Sequence, residues 1–531
     1  MDFDCDWLII GSGFGGSVSA LRLTEKGYRV VMLEKGRRLA GEDFPKTNWN
    51  LKRWLWMPWL GWRGLFKMTF FRHVTVLSGV GVGGGSLVYA NTLPLPRDEF
   101  FAASSWGGLA DWKRELAPHY DTARRMLGVT VNPLRTLPDD ILKQVGEDLG
   151  GREFQPATVG IYFGQPGVTV PDPYFGGEGP ARTGCNACGG CLTGCRFNAK
   201  NSLDKNYLYF AEKRGLKLHA DTEATWVRPL PEGGYEVEAL EGVSLGTRQR
   251  RRFTARQVIF AGGVLGSVEL LLKLKGSPHG LPELSDRLGD GVRTNSEALI
   301  GVVAGQRFHD KDLSKGIAIG SILHTDEHSH LEPVRYAGGS NFFRTLMAPH
   351  VSGATAWSRL AALVGITVRH PLKMLRTWFT RDFARRTMIL LYMRTLDGHL
   401  SMRRGRGLFT GGRKALVTGL QAGPAPTANM PEATDLAHRV ASKLDGMPVT
   451  LASETLLGIP TTAHILGGCC MGDSPQTGVI DARHQLFGYP GLYVVDGAAI
   501  SANPGVNPSL TITALAERAM SFIPHRRERA P

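Results

Sequence analysis

Residues 184–195 read GCNACGGCLTGC and place Cys185, Cys188, Cys191 and Cys195, four of the chain's seven cysteines, within eleven residues. Their spacers of two, two and three residues match the ferredoxin run that wraps a cubane. The intervening Gly189, Gly190 and Gly194 permit tight turns and turn backbone N–H groups toward sulfur. The spacing predicts one [4Fe–4S] cluster held by the four thiolates. Zinc, and a metal-free turn or disulfides, stand as alternatives: Arg196 rather than proline follows the fourth cysteine, and no second run exists. Zinc sites usually separate their cysteine pairs by about a dozen residues or more.

A second constellation opens the chain. Gly11-Ser12-Gly13-Phe14-Gly15-Gly16 fits G-x-G-x-x-G, and Glu34 follows Gly16 by 18 residues. Such glycines make the turn, let a pyrophosphate approach the backbone and bring helix against strand, while the acid takes a ribose hydroxyl. An acid at that place favours FAD or NAD over NADP. The elements this requires are present in order: the buried strand WLII, the glycine turn, the helical SVSALRLTEKG and the strand YRVVMLEKG. Strand, glycine turn and helix recur in RQVIFAGGVLGSVELLLKL, and the C-terminal part returns to GLYVVDG, a glycine-rich loop and SLTITALAERAMSF. The pattern at both ends predicts an α/β (α+β) protein: a discontinuous Rossmann-like domain around an inserted substrate domain of antiparallel sheet and helices. The expected boundaries are 1–149 with an aromatic lid at 48–73, a cysteine-rich insertion at 150–202, a second nucleotide-domain part at 203–299, the substrate domain at 300–455 and a C-terminal part at 456–531.

The run GVGVGGGSLVYAN, the AGGVLGS turn and the stretch HILGGCCMG…GLYVVDGAAISANPGVNPSLTITALAER resemble the glucose–methanol–choline (GMC) oxidoreductase family, closest to its cholesterol-oxidase-like branch. The resemblance implies FAD, held without a covalent link, and a catalytic pair at His464 and Asn507. It further implies that Gly83, Gly84, Ser86, Asn91, Asp496 and Gly497 lie along the cofactor, together with Gly11, Gly13, Phe14, Gly15, Gly16, Glu34 and Asn507. The branch uses a substrate-domain glutamate as base for sterol isomerisation, and Glu297 in RTNSEAL is the candidate. The chemistry stands without the family: oxidising an alcohol removes a hydride from carbon and a proton from oxygen, which an imidazole can accept while an amide orients the hydroxyl.

The 531 residues carry a net charge of +14, and residues 359–414 hold 13 Lys/Arg against two Asp. No nucleic-acid motif accompanies this charge, so no nucleic-acid partner is expected. The basic residues alternate with apolar ones, which fits a peripheral membrane face or an anionic partner. Five tryptophans between Trp49 and Trp62 read as a lid over the substrate cavity or as an interfacial patch. With no run of 18 apolar residues and an acidic rather than basic N-terminus, the chain is expected in the cytoplasm, reaching at most the inner face of the membrane. The reading that results is a FAD-dependent dehydrogenase of a lipophilic alcohol, sterol-like, terpenoid or long-chain. Its electrons would pass through the iron–sulfur cluster to a ferredoxin, a cytochrome or a quinone-linked carrier. An oxygen-using sterol or alcohol oxidase with structural cysteines is the first alternative; a basic lipid- or nucleic-acid-binding protein on a flavoprotein scaffold is the second.

Overall fold

The computed structural model describes residues 3–242, 246, 248–353 and 355–526, the side chain of residue 376 apart. Apolar runs bounded by glycine turns become strands buried on both faces. Cys5–Ile10 lies between Val30–Leu33 and Gln249–Phe260, with Lys217–His219 outside the former and Leu492–Val494 beside the latter, all parallel. The strand Gln249–Phe260 is 12 residues long and serves three partners. Its inner end joins the parallel core, while its outer part pairs antiparallel with Tyr235–Glu241, which in turn carries Thr222–Pro229. Residues far apart in the chain thus complete one seven-stranded sheet.

Two helices seal one face of that sheet. Phe14–Glu25 follows the first strand and packs on Ser509–Ser521. Arg22 reaches across to Glu517 at 2.7 Å, and the Tyr207 hydroxyl donates to the same carboxylate at 2.6 Å. Val18, Leu21, Leu510 and Ala514 belong to one apolar core with the strands.

The second seven-stranded sheet runs Met347–Pro349, Met447–Leu451, Ala298–Val303, Thr387–Arg394, Ser329–Val334, Ser321–His324, Phe154–Pro156, and every pairing in it is antiparallel. Side chains alternate across it. Ile300, Val302 and Leu390 pack with Leu436, Ala437 and Val440 of the helix Pro431–Lys443. Leu299, Ile389, Leu391 and Val334 face the other way, onto a cavity shared with the first sheet. The protein is therefore a Rossmann-like α/β unit joined to an antiparallel sheet with helices, the class its patterning predicts.

Candidate active site

The cavity measures about 630 Å³. At one end it touches Gly11, Gly13, Phe14, Gly15, Glu34 and Lys35; elsewhere Gly84, Asp496, Gly497, His464 and Asn507 line it, with an apolar wall of Leu299, Ile319, Val334, Phe343, Met347, Ile389 and Leu391. The glycine turn explains the first end. Gly11 sits at φ +104°, where a side chain is strained, and a Cβ on Gly15 would come within 1.7 Å of the Val495 carbonyl. A Cβ on Gly13, by contrast, would meet open space. Gly13 also caps the helix Phe14–Glu25 with no side-chain acceptor, which leaves first-turn N–H groups for an anion. Glu34 is buried and accepts from Ser12 N, Ser12 Oγ and Gly36 N. Burial holds its carboxyl above the usual range. Asp496 accepts from Gly263 N, Ser267 Oγ and Ala498 N, and burial pushes it up to about 6. An uncapped helix start, a bare glycine and a buried acid at the second strand's end fit a dinucleotide.

Not every expected cofactor residue is there. Ser86 and Asn91 do not line the cavity, although Gly84, Gly85, Ala90 and Thr92 do. The Ser86 hydroxyl donates to the Gly83 carbonyl and accepts from Leu203 N–H, so it ties the glycine run to a neighbouring segment. Asn91 is buried at φ +69° with both side-chain ends unpartnered. Gly16 and Gly83 also sit back from the wall: Gly16 packs on the Gly11 carbonyl and Gly83 N–H donates to Ser12 Oγ.

His464 and Asn507 are brought to the same cavity from loops 43 residues apart in sequence. His464 Nδ1 lies 2.6 Å from Glu297 Oε2, and Glu297 Oε1 accepts the neighbouring Ala463 N–H. Because the carboxylate accepts a hydrogen bond from Nδ1–H, the neutral imidazole leaves Nε2 as its acceptor. Burial opposes the imidazolium, but the charge and hydrogen bond of Glu297 outweigh it, with a further contribution from Glu332, so His464 titrates above an ordinary histidine. Glu297 reaches this place through two strained residues, Asn295 at φ +59° and Ser296 at φ +43°. Asn295 Nδ2 donates to the Val506 carbonyl and so ties this turn to the Asn507 loop.

The expectation that Glu297 is a substrate-facing base is therefore corrected: both its oxygens are engaged by the His464 loop. A different glutamate stands near Asn507. Glu332 is fully buried, and its Oε2 accepts from Asn507 Nδ2 at 3.3 Å. The bond turns Asn507 Oδ1, buried and unpartnered, away from Glu332. Behind Glu332, His330 Nε2 lies 3.4 Å from Oε1. Sequence reading missed Glu332; its one signal was an acid inside the apolar strand SHLEPV.

The cysteine run does not form the expected cluster. All four thiols are free, and among the described residues no group of three or more His, Cys, Asp or Glu is assembled to hold a metal ion. The glycines of this loop answer to packing instead. A Cβ on Gly189 would lie 2.1 Å from the Ser314 carbonyl, and one on Gly194 would lie 2.0 Å from the Phe44 ring. Burial raises the thiols of Cys185, Cys188 and Cys191, pushing Cys185 up to about 12 and Cys191 to about 11. At the centre of the loop is Lys200, buried, whose ammonium donates to the carbonyls of Leu87, Tyr89 and Cys191, each at 2.9 Å. Lys200 thus ties the Cys191 backbone to the glycine run beside the cavity, and no electron path to a carrier protein is derived through Cys185, Cys188, Cys191 and Cys195.

Comparison with known proteins agrees with this geometry. The GMC oxidoreductase model matches residues 181–286 and 414–516, and an NAD(P)-binding Rossmann-like domain matches residues 9–51. A cholesterol oxidase of Acinetobacter baumannii is 47% identical over 98% of this chain and 95% of its own length. The chain belongs to the GMC oxidoreductase family. A cholesterol oxidase of Mycobacterium tuberculosis is likewise 47% identical, over 99% of this chain and 92% of its own. More distant is a 2-methyl-1,2-propanediol dehydrogenase of Mycolicibacterium austroafricanum, 26% identical over 98% of this chain and 95% of its own. The structure of a pyridoxine 4-oxidase from Mesorbium loti shares the fold at a TM-score of 0.62 and 15% identity, covering 99% of this chain and all of that one. This GMC protein is accordingly a FAD-dependent oxidoreductase acting on CH–OH groups, of the cholesterol-oxidase-like branch.

Proposed function

We propose that the protein oxidises the hydroxyl of a sterol and returns the electrons to molecular oxygen. The observation that carries the substrate class is the apolar wall from Leu299 to Leu391, built by the antiparallel sheet next to His464 and Asn507. Near-full-length identity to two cholesterol oxidases supports it. FAD, when bound, supplies the hydride acceptor. Gly11, Gly13, Phe14, Gly15, Glu34, Gly84, Asp496 and Gly497 would hold it. His464 Nε2 takes the hydroxyl proton, with Nδ1 anchored on Glu297, and the second amide N–H of Asn507, the one Glu332 does not engage, donates to the hydroxyl oxygen and orients it. The apolar wall excludes water from the reacting end. Oxygen as acceptor is preferred to the iron–sulfur and carrier route because both near-full-length relatives are oxidases by name.

The test is the stoichiometry of turnover with a 3-hydroxysterol. One hydrogen peroxide per ketone formed under air, with no added acceptor, is expected. Ketone that forms only when an artificial acceptor is supplied would make the protein a dehydrogenase. No flavin reduction by any sterol would remove the substrate assignment.

A further inference from the structure

The segment between Ser352 and Arg381 contains no Asp or Glu. It folds as two short helices, Ala356–Arg369 and Pro371–Trp378, joined at His370. None of the residues of the first helix is buried. Its outward stripe is apolar: Trp357 is 81% exposed and Val368 74%, with Leu360 and Val364 exposed between them. These positions are three, four and four residues apart, the spacing of one helix face. The second helix extends the stripe with Leu372, Leu375 and Trp378, and Phe379, 74% exposed, ends it. Leu456 and Leu457, from the helix that packs against the first, are exposed as well. Contiguous apolar surface of this size needs a partner.

The charges around the stripe identify that partner. Arg369 and Arg381 are exposed, as are Lys373, which pairs with Asp445, and Arg385, which pairs with Asp312 and Asp382; the helix pair itself carries no acid, so the apolar face keeps a cationic rim. Such a face complements a layer that is apolar inside and negative at its surface. A second copy would oppose like charges. The first helix has 14 residues, about 21 Å at the helical rise and too short for a bilayer core of about 30 Å. It can lie in the membrane surface but not cross it. The second helix packs on the strand Met447–Leu451, with Thr377 Oγ1 at 3.6 Å from Met447 Sδ. That strand's Leu451 lines the cavity, as does Met347 on the neighbouring strand.

We infer that the helix pair Ala356–Trp378 is a docking surface for an anionic bilayer, seating the protein with its apolar cavity wall directly behind the lipid contact. The purpose of this arrangement, withdrawal of a lipophilic alcohol from the membrane, rests on the sterol reading; the docking itself does not.

The experiment is flotation of the full-length holoprotein with vesicles of phosphatidylcholine, with and without 30% phosphatidylglycerol, at low and high salt (about 0.05 and 0.5 M). The parent is expected to float with the anionic vesicles, and more so at low salt. Val368→Glu/Leu372→Glu, both at exposed positions, should weaken that binding about tenfold or more. It should keep its flavin content and its turnover of sterol supplied in cyclodextrin. Brominated acyl chains should quench tryptophan fluorescence in the parent and less so in Trp357→Tyr. Equal flotation of parent and double variant would overturn the inference, as would a parent dimer that the double variant converts to monomer without any change in vesicle binding. Loss of sterol turnover by parent and variant alike, with flotation intact, would count against the substrate reading only.

Discussion

At the scale of single residues, the site is organised by two buried carboxylates that each fix one polar partner. Glu297 determines which nitrogen of His464 carries the proton and raises its affinity for a second one. Glu297→Gln preserves a hydrogen bond while removing the charge, so His464 should titrate lower. Since the base must be neutral to act, the acid limb of the pH profile for flavin reduction should move to lower pH. Its plateau should fall because the imidazolium is less stabilised. Rapid-reaction measurement of flavin reduction across pH checks this, and an unmoved limb would mean that Glu297 only holds the loop in place. His464, Asn507 and Glu34 were legible in the sequence because each lies in a long ordered motif. Glu332 was not, because SHLEPV taken alone allows an outward acid. Only the pairing of Glu332 with Leu391 across the sheet places it behind Asn507.

At the scale of elements, the cysteine loop shows how spacing can mislead. Small residues at close intervals suit a cluster, and they equally suit a loop pressed against its neighbours. What decides between them is contact with Ser314 and Phe44, more than a hundred residues away in the chain, which no local motif encodes. The two uses separate experimentally. Cys188→Ser and Cys195→Ser should retain flavin, turnover and an iron content at background. Lys200→Met removes three charge-assisted bonds from buried carbonyls and should cost about 2–4 kcal/mol. Differential scanning calorimetry and flavin retention on gel filtration would show the contrast, and the reverse pattern would return the cysteines to a metal-binding role. The two halves of the fold were unequally readable for the same reason. The parallel core is announced by glycine turns of fixed form, whereas the antiparallel sheet is assembled from strands some of which lie well over a hundred residues apart, with no turn signature shared among them.

Over the whole molecule, stability should carry the mark of Glu454. This side chain is buried and accepts from Thr461 N–H, and burial, with the charge of Glu297 adding, pushes it from 4.5 up to about 8. The folded protein therefore keeps a proton that the unfolded chain loses above pH 4.5. The stabilisation is complete below that pH and drains away as pH rises through about 8. Glu454→Gln has no proton to lose. Its melting temperature relative to the parent should rise from about pH 4.5 to about pH 8 and level off above that, read by thermal scans at matched ionic strength. A constant offset across that range would show that Glu454 is already ionised in the native state.

The parallel sheet also has a history in time. Its strand Leu492–Val494 and the helix Ser509–Ser521 are made last, yet they close the unit begun by Cys5–Ile10 and Phe14–Glu25. A ribosome producing this chain from its first residue exposes one half of a nucleotide-binding unit for nearly the whole of synthesis. Asp496, Gly497 and Asn507 follow Gly11 and Gly13 by hundreds of residues, so a nascent chain that has not reached them lacks one side of the cavity. A chain cut before Asp496 is therefore expected to retain no flavin, however well its first half folds.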